Sequence, residues 1–131
     1  MNIAHAGGEV QEVRIFGCKN DTEPCVISRG TKGRLEVDFI SPFDARSLYV
    51  DVRGRSSTSR LGIYMPWIGV HKNACDNHGI TCPIKRASKQ TYFYELLVDG
   101  TYPQFKADAI WKLTDYWGFV VACFKMDMQI E

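Results

Sequence analysis

The sequence predicts an all-β fold, an immunoglobulin-like sandwich of about seven short antiparallel strands, and three observations carry that prediction. Apolar and polar residues alternate in several runs, the clearest being Phe124-Lys-Met-Asp-Met-Gln-Ile-Glu131. Gly, Pro, Asp and Ser clusters punctuate these runs rather than gathering into a linker. No segment keeps the roughly 3.6-residue apolar spacing of a helix for any length.

Val10–Phe16 opens the series with β-branched and aromatic residues, which fit a pleated, half-buried surface. Leu35–Phe39 alternates strictly, so Val37 and Phe39 share one face while Glu36 and Asp38 share the other. Leu48–Arg53, Leu61–Met65 and Thr91–Val98 follow with similar composition, and place Ile63 with Met65, and Leu96 with Val98, on inward stripes. Phe105–Thr114 sets Phe105, Ala107, Ala109, Trp111 and Leu113 against Lys106, Asp108, Lys112 and Thr114, with Ile110 as its one violation. The last run turns Phe124, Met126 and Met128 inward. Turns are predicted at Arg29-Gly30, Ser41-Pro42, Arg53-Gly54, Asp99-Gly100 and Asp115–Gly118. An immunoglobulin domain places a Trp soon after the first cysteine of a long-range pair that bridges the sheets. Here Trp67 follows Cys25 only after a long interval, so the likeness is one of outline.

With 131 residues, 45% of them hydrophobic and 24% charged, the chain is expected to form a single domain over 1–131. Lys plus Arg number 16 against 15 Asp plus Glu, a net charge of +1, which gives no basic field for a phosphate backbone and argues against nucleic acid as a partner. The longest apolar stretch, Phe119–Phe124, is far shorter than the roughly 20 residues of a spanning helix, so no membrane crossing is expected. Five cysteines in so short a chain point to an oxidising compartment and hence to secretion. Met1-Asn-Ile-Ala-His-Ala-Gly-Gly8 has neither the charged start nor the apolar run of a signal peptide, so the chain is expected to be a mature form. Asn20-Asp21-Thr22 fits an N-glycosylation acceptor on a surface loop.

Cys18 and Cys25 enclose the polar segment Lys-Asn-Asp-Thr-Glu-Pro, which burial alone would not fix; a bridge across so short a loop contributes about 2.5 kcal/mol in the chain-entropy model. Cys75 and Cys82 likewise close a short loop. His71 and His78 lie near enough for a Cys-His zinc site to be the alternative there, although they repeat no recognised ligand spacing and solvated loop histidines are the commoner case. Cys123 is left over, as a nucleophile, a link to a second chain, or a small buried hydrophobe in an apolar strand, with the last the best reading. No catalytic base is assignable to it, and no carboxylate pair, nucleophile elbow or metal motif stands out, so neither catalysis nor a cofactor is expected.

The order of motifs carries a further signal: Gly17-Cys18 to Pro24-Cys25, Ser28-Arg29-Gly30, Ala74-Cys75 to Cys82-Pro83-Ile84, Tyr102-Pro103, and Trp111-Lys-Leu-Thr-Asp115 before Cys123. From about Glu9 to Ile130 this resembles the Niemann-Pick type C2 family of ML-domain lipid carriers. The resemblance implies a secreted sandwich that holds a sterol, fatty acid or similar lipid in an apolar cavity between its sheets, without covalent chemistry. Members usually carry a sixth cysteine near the start, bridged to the one matching Cys123. Here that stretch reads His5-Ala6-Gly7.

In the family an aromatic residue ahead of the third cysteine guards the pocket mouth with a Val and a Tyr-Pro pair; the matching positions are Trp67, Val98, Tyr102 and Pro103. Trp67 replaces the Phe of some relatives, and its larger ring would favour a slender acyl chain over a fused sterol. The interior would be lined by Val37, Phe39, Ile63, Met65, Leu96, Val98, Ala109, Trp111, Phe124, Met126 and Met128, where small alanines leave space and flexible methionines fill it. The competing reading is an immunoglobulin-like adhesion or recognition domain with a filled core, since facing layers about 10 Å apart interdigitate in any sandwich. The implied partner is a small apolar ligand, carried by a monomer in extracellular fluid or in the lysosome. Two basic clusters, Arg53, Arg55 and Arg60 with Lys85, Arg86 and Lys89, would serve a transient membrane or receptor contact, or else are simply solvated loops.

Overall fold

A computed structural model describes residues 2–3, 9–19, 24–56, 62–67, 69–101 and 103–131. The described residues contain no helix, and so none long and apolar enough to cross a membrane. They form β1 (Asn2–Ile3), β2 (Glu9–Phe16), β3 (Cys25–Ile27), β4 (Lys32–Ile40), β5 (Tyr49–Ser56), β6 (Met65–Pro66), β7 (Lys89–Leu97), β8 (Phe105–Thr114) and β9 (Val120–Ile130). One sheet runs β1-β9-β8-β5-β6, with β3 added beside β9; the other runs β2-β4-β7. The expected sandwich is therefore present, with two corrections to its strands. There are more than seven, and β3 pairs with β9 in parallel, Cys25 against Met128 and Ile27 against Ile130. Three residues after a proline offer no alternation from which to read a strand.

The core is the space between the two inward faces. On β4, Gly33, Leu35, Val37 and Phe39 are buried while Arg34, Glu36, Asp38 and Ile40 are only partly covered, which is the period-two pattern made physical. Gly33 sits in a tight place: a Cβ there would stand 3.0 Å from the Ile27 Cδ1 and 3.3 Å from the Phe16 carbonyl oxygen, so the neighbours would have to give way slightly. On β9 the pattern breaks, because Val121, Ala122, Cys123 and Phe124 are all buried. A register shift explains part of this run: Leu113 pairs with Ala122 but Thr114 with Val120, so Val121 is the extra residue of a bulge.

Two further expectations need correction. Arg53-Gly54 is not a turn but lies within β5, where Gly54 pairs with both Met65 and Ala109. The Trp67 ring lies over this position, 3.5 Å from where a Cβ would stand, which is ordinary contact. The strand expected over Leu61–Met65 reduces to β6, and Leu61 lies outside the described residues. An edge strand of two residues, one of them Pro66, is too short to present an inward face. Ile63 and Met65 accordingly face solvent, 53% and 62% exposed, and form no inward stripe.

The outer face of the smaller sheet is held by charge. Arg14 on β2 reaches Asp38 at 2.8 Å and Glu36 at 3.2 Å on β4. With Thr91 also donating to it, the Asp38 carboxyl falls to about 2.

Candidate functional site

The interlayer space is filled along one half and open along the other. In the filled half Phe39, Leu48, Leu113 and Phe124 are fully buried. In the open half a cleft of about 520 Å³ enters between β7, the edge of the smaller sheet, and the segment around Trp67 at the edge of the larger one. Leu96 and Tyr94 on β7 form one wall, Met128 and Ile130 on β9 the other, Trp67, Val70, Val98 and Pro103 stand around the entrance, and Trp111 lies at the inner end. The volume falls within the roughly 300–1,000 Å³ of small-molecule sites, and the lining is mainly hydrophobic and aromatic.

The entrance is built by short local ties. The N–H of Trp67 donates to the Val52 carbonyl at 2.8 Å, which sets the indole across β5. Val98 is fastened to the turn at Arg29-Gly30 from both sides: Gly30 N–H donates to its carbonyl at 2.7 Å, and its own N–H donates to Thr31 O at 3.1 Å. The end of β9 is held in turn by Arg29 N–H donating to the Glu131 carbonyl. The disulfide between Cys18 and Cys25 ties β3, which pairs with β9 at this same end, to the segment just after β2. Tyr94 contributes its ring to the wall and its Oη accepts from the His71 backbone N–H at 3.3 Å, joining β7 to the segment that carries Gly69 and Val70.

Of the residues read from the sequence as lining, the cleft brings together Trp67, Leu96, Val98, Pro103, Trp111 and Met128. Val37, Phe39, Ala109, Phe124 and Met126 are buried and are not part of its wall, although the Ala109–Met126 pair sits in register between Met128 and Trp111, which are. Ile63 and Met65 are on the surface, and Tyr102 lies outside the described residues. Tyr94, Ile130 and Val70 were missed. The first two continue stripes already visible, Leu96 to Tyr94 and Met128 to Ile130, and extending each by one inward step would have found them. Val70 sits in an irregular segment with no periodicity to read.

Both local disulfides form, Cys18 to Cys25 and Cys75 to Cys82. The second corrects the zinc alternative, since both sulfurs that such a site needs are consumed in a covalent bond. Of the two histidines near it, His71 is an exposed loop residue as expected, whereas His78 is not. His78 is 9% exposed; its Nδ1 lies 2.9 Å from the Phe93 carbonyl oxygen and its Nε2 lies 2.7 Å from His71 Nδ1. A carbonyl only accepts, so His78 donates from Nδ1 to Phe93, and its Nε2 is engaged by His71 Nδ1. Its ring stacks on Tyr94 at 5.5 Å, behind the cleft wall. Cys123 is free and buried, and burial pushes its thiol up, away from the thiolate that a nucleophile requires.

Of the basic cluster at Arg53, Arg55 and Arg60, the first two lie in β5 and not in a loop. Arg55 forms a two-pronged pair with Asp108 at 3.2 and 3.0 Å, Arg53 extends from β5, and Arg60 lies outside the described residues. Lys85, Arg86 and Lys89 are exposed.

A sandwich with two short disulfide loops and an apolar cleft at one end matches what comparison with known proteins finds. The model of the ML domain matches residues 4–130. This chain belongs to the ML-domain family. Among its relatives, NPC intracellular cholesterol transporter 2 homolog a of Drosophila melanogaster is 27% identical over 124 residues, covering 95% of this chain and 81% of that protein. The mite group 2 allergen Lep d 2 of Lepidoglyphus destructor is 32% identical over 124 residues, covering 95% and 82%. A crystal structure of a Niemann-Pick type C2 protein from Japanese carpenter ant superimposes with a TM-score of 0.86 over 100% of this chain and 98% of that one, at 18% identity. The ML-domain chain thus shares its whole fold with that protein, and its resemblance to the Niemann-Pick type C2 family stands.

Proposed function

We propose that this ML-domain protein is a non-catalytic carrier that takes an apolar ligand into the cleft between its sheets and transports it outside the cell or within the lysosome. The observation that carries the reading is the cleft itself: about 520 Å³, entered past Trp67 and Val98 and ending on Trp111 between the layers. Each methylene moved from water to such a wall gains about 0.8 kcal/mol, so an acyl chain or fused ring system offsets the cost of its own immobilisation without an ion pair. Two disulfides in a chain of this size support an oxidising destination. A filled-core recognition domain would have packed the end between Leu96 and Met128 as tightly as the end around Phe39, and the open cleft speaks for the carrier instead.

Candidate ligands are long-chain fatty acids, sterols and related lipids or semiochemicals. The names of the cholesterol-transporter relatives favour a sterol; the indole of Trp67, set across Gly54 at the entrance, favours a slender chain. Competitive displacement of a fluorescent fatty acid and of a fluorescent sterol separates the two, and mass spectrometry of lipid extracted from freshly purified protein names the natural occupant. Preferential displacement of the acyl probe is expected; a clear sterol preference overturns the role given to Trp67, and binding of neither probe overturns the carrier.

A further inference from the structure

Two hydrogen-bond donors are fully enclosed with no partner among the described residues: Trp111 Nε1, on a residue of the cleft lining, and Tyr92 Oη, on a neighbouring residue just outside that lining. Such a group left unpaired is costly, and the great majority of buried polar atoms are paired. Trp111 is part of the cleft lining. Tyr92 is the next inward residue of β7 after Leu96 and Tyr94, both of which line the cleft, and its ring lies 6.4 Å from that of Trp111. On its other side the His78 ring is 5.6 Å away, but both His78 nitrogens are engaged, one by His71 and one by the Phe93 carbonyl, so the imidazole offers the phenol no acceptor. Burial pushes the Tyr92 phenol well above its ordinary range, which keeps it an O–H donor. Among the described lining residues Glu95 alone is charged, and it is exposed at the rim, so no cation waits inside for an ionised carboxylate.

We propose that Tyr92 and Trp111 form a donor floor at the inner end of the cleft, receiving the neutral oxygen of an apolar ligand, a hydroxyl or a carbonyl, so that the ligand enters polar end first. This deepens the carrier reading and rests on it. The ligand class is an alcohol, ketone or ester of long chain or fused rings, in preference to an ionised fatty acid, whose buried charge would face donors but no counter-ion.

The test compares 2-heptadecanone with n-heptadecane as displacers of a fluorescent probe from the wild-type chain and from Tyr92→Phe, with the Trp111 indole N–H followed by ¹H–¹⁵N correlation in the wild type. The floor predicts that Tyr92→Phe weakens the ketone by about three- to tenfold, the worth of one hydrogen bond, and leaves the hydrocarbon within about twofold. It also predicts a downfield shift of the Trp111 indole proton with the ketone and none with the hydrocarbon. Equal effects on both probes, or an indole signal that the ketone does not move, overturns the floor while leaving the carrier standing. Failure of both probes to bind overturns the two together. The NMR arm needs no variant and decides the matter even if Tyr92→Phe does not fold.

Discussion

The two halves of the interlayer space are built from the same strands with different outcomes. Toward Phe39 and Leu113, each inward side chain meets one from the facing sheet and both are fully buried. Toward Leu96 and Met128, β7 is an edge strand, β6 is only two residues long, and the walls stand apart around a cleft. Trp111 marks the boundary, stacked on Phe124 at 6.0 Å toward the packed side and lining the cleft on the other. A sandwich therefore need not be hollow to offer a site. Closing one end supplies the stability that lets the other remain open.

The comparison breaks most readily in the packed half. Phe39→Ala removes a fully buried ring and is expected to cost about 3–5 kcal/mol in denaturant unfolding, with probe affinity per folded molecule unchanged. An equal loss of affinity would mean that the halves are not independent. Replacing both Cys18 and Cys25 by Ser is expected to cost about 2.5 kcal/mol by the chain-entropy model. Because that bridge ties β3, the strand paired with β9 at the open end, to the chain after β2, the loss should bring weaker probe binding, which Phe39→Ala should not. Leu96→Ala, at a half-buried position on the cleft wall, should lower stability by less than about 1.5 kcal/mol and yet weaken the probe, the reverse of the Phe39 pattern.

The smallest effect lies outside both halves. Asp38 is depressed from 3.8 to about 2 by Arg14 and then Thr91, so its contribution is present above the unfolded value and is lost as pH falls from about 4 toward 2. With the Asp38 side chain 13% exposed and Arg14 29%, this amounts to on the order of 1 kcal/mol. Unfolding midpoints measured across that window should fall in the wild type and fall less in Asp38→Asn, with no change in probe affinity that tracks the difference.

What the sequence revealed follows from where periodicity operates. Phe105–Thr114 was readable to the residue, because a strand covered on one face and wet on the other must alternate. The two disulfides were readable from the short cysteine spacings, although at Cys75 and Cys82 the nearby histidines left a zinc site as the alternative. By contrast, that Gly54 lies inside β5 rather than in a turn depends on its pairing with Met65 and Ala109, residues distant in sequence that no local pattern joins to it. Ile63 and Met65 share the composition of a strand but lack the partner strand and the opposing layer that would bury them. Likewise, an inward stripe says which residues leave water, not which of them stop short of the other wall. Phe39 and Leu96 were both read as lining, and only the widths of the two sheets separate the packed one from the open one.

The tryptophans offer the most direct test that the open half is where an apolar molecule goes. Trp111 is enclosed at the inner end of the cleft, whereas Trp117, in the turn between β8 and β9 at the opposite end of that hairpin, is 76% exposed. The methyl ester of 9,10-dibromostearic acid, whose bromines quench indole fluorescence at contact, is titrated into two variants, one retaining only Trp111 and the other only Trp117. The account predicts saturable, stoichiometric quenching of Trp111 with Trp117 unaffected; quenching of Trp117 without Trp111, or of neither, would contradict it.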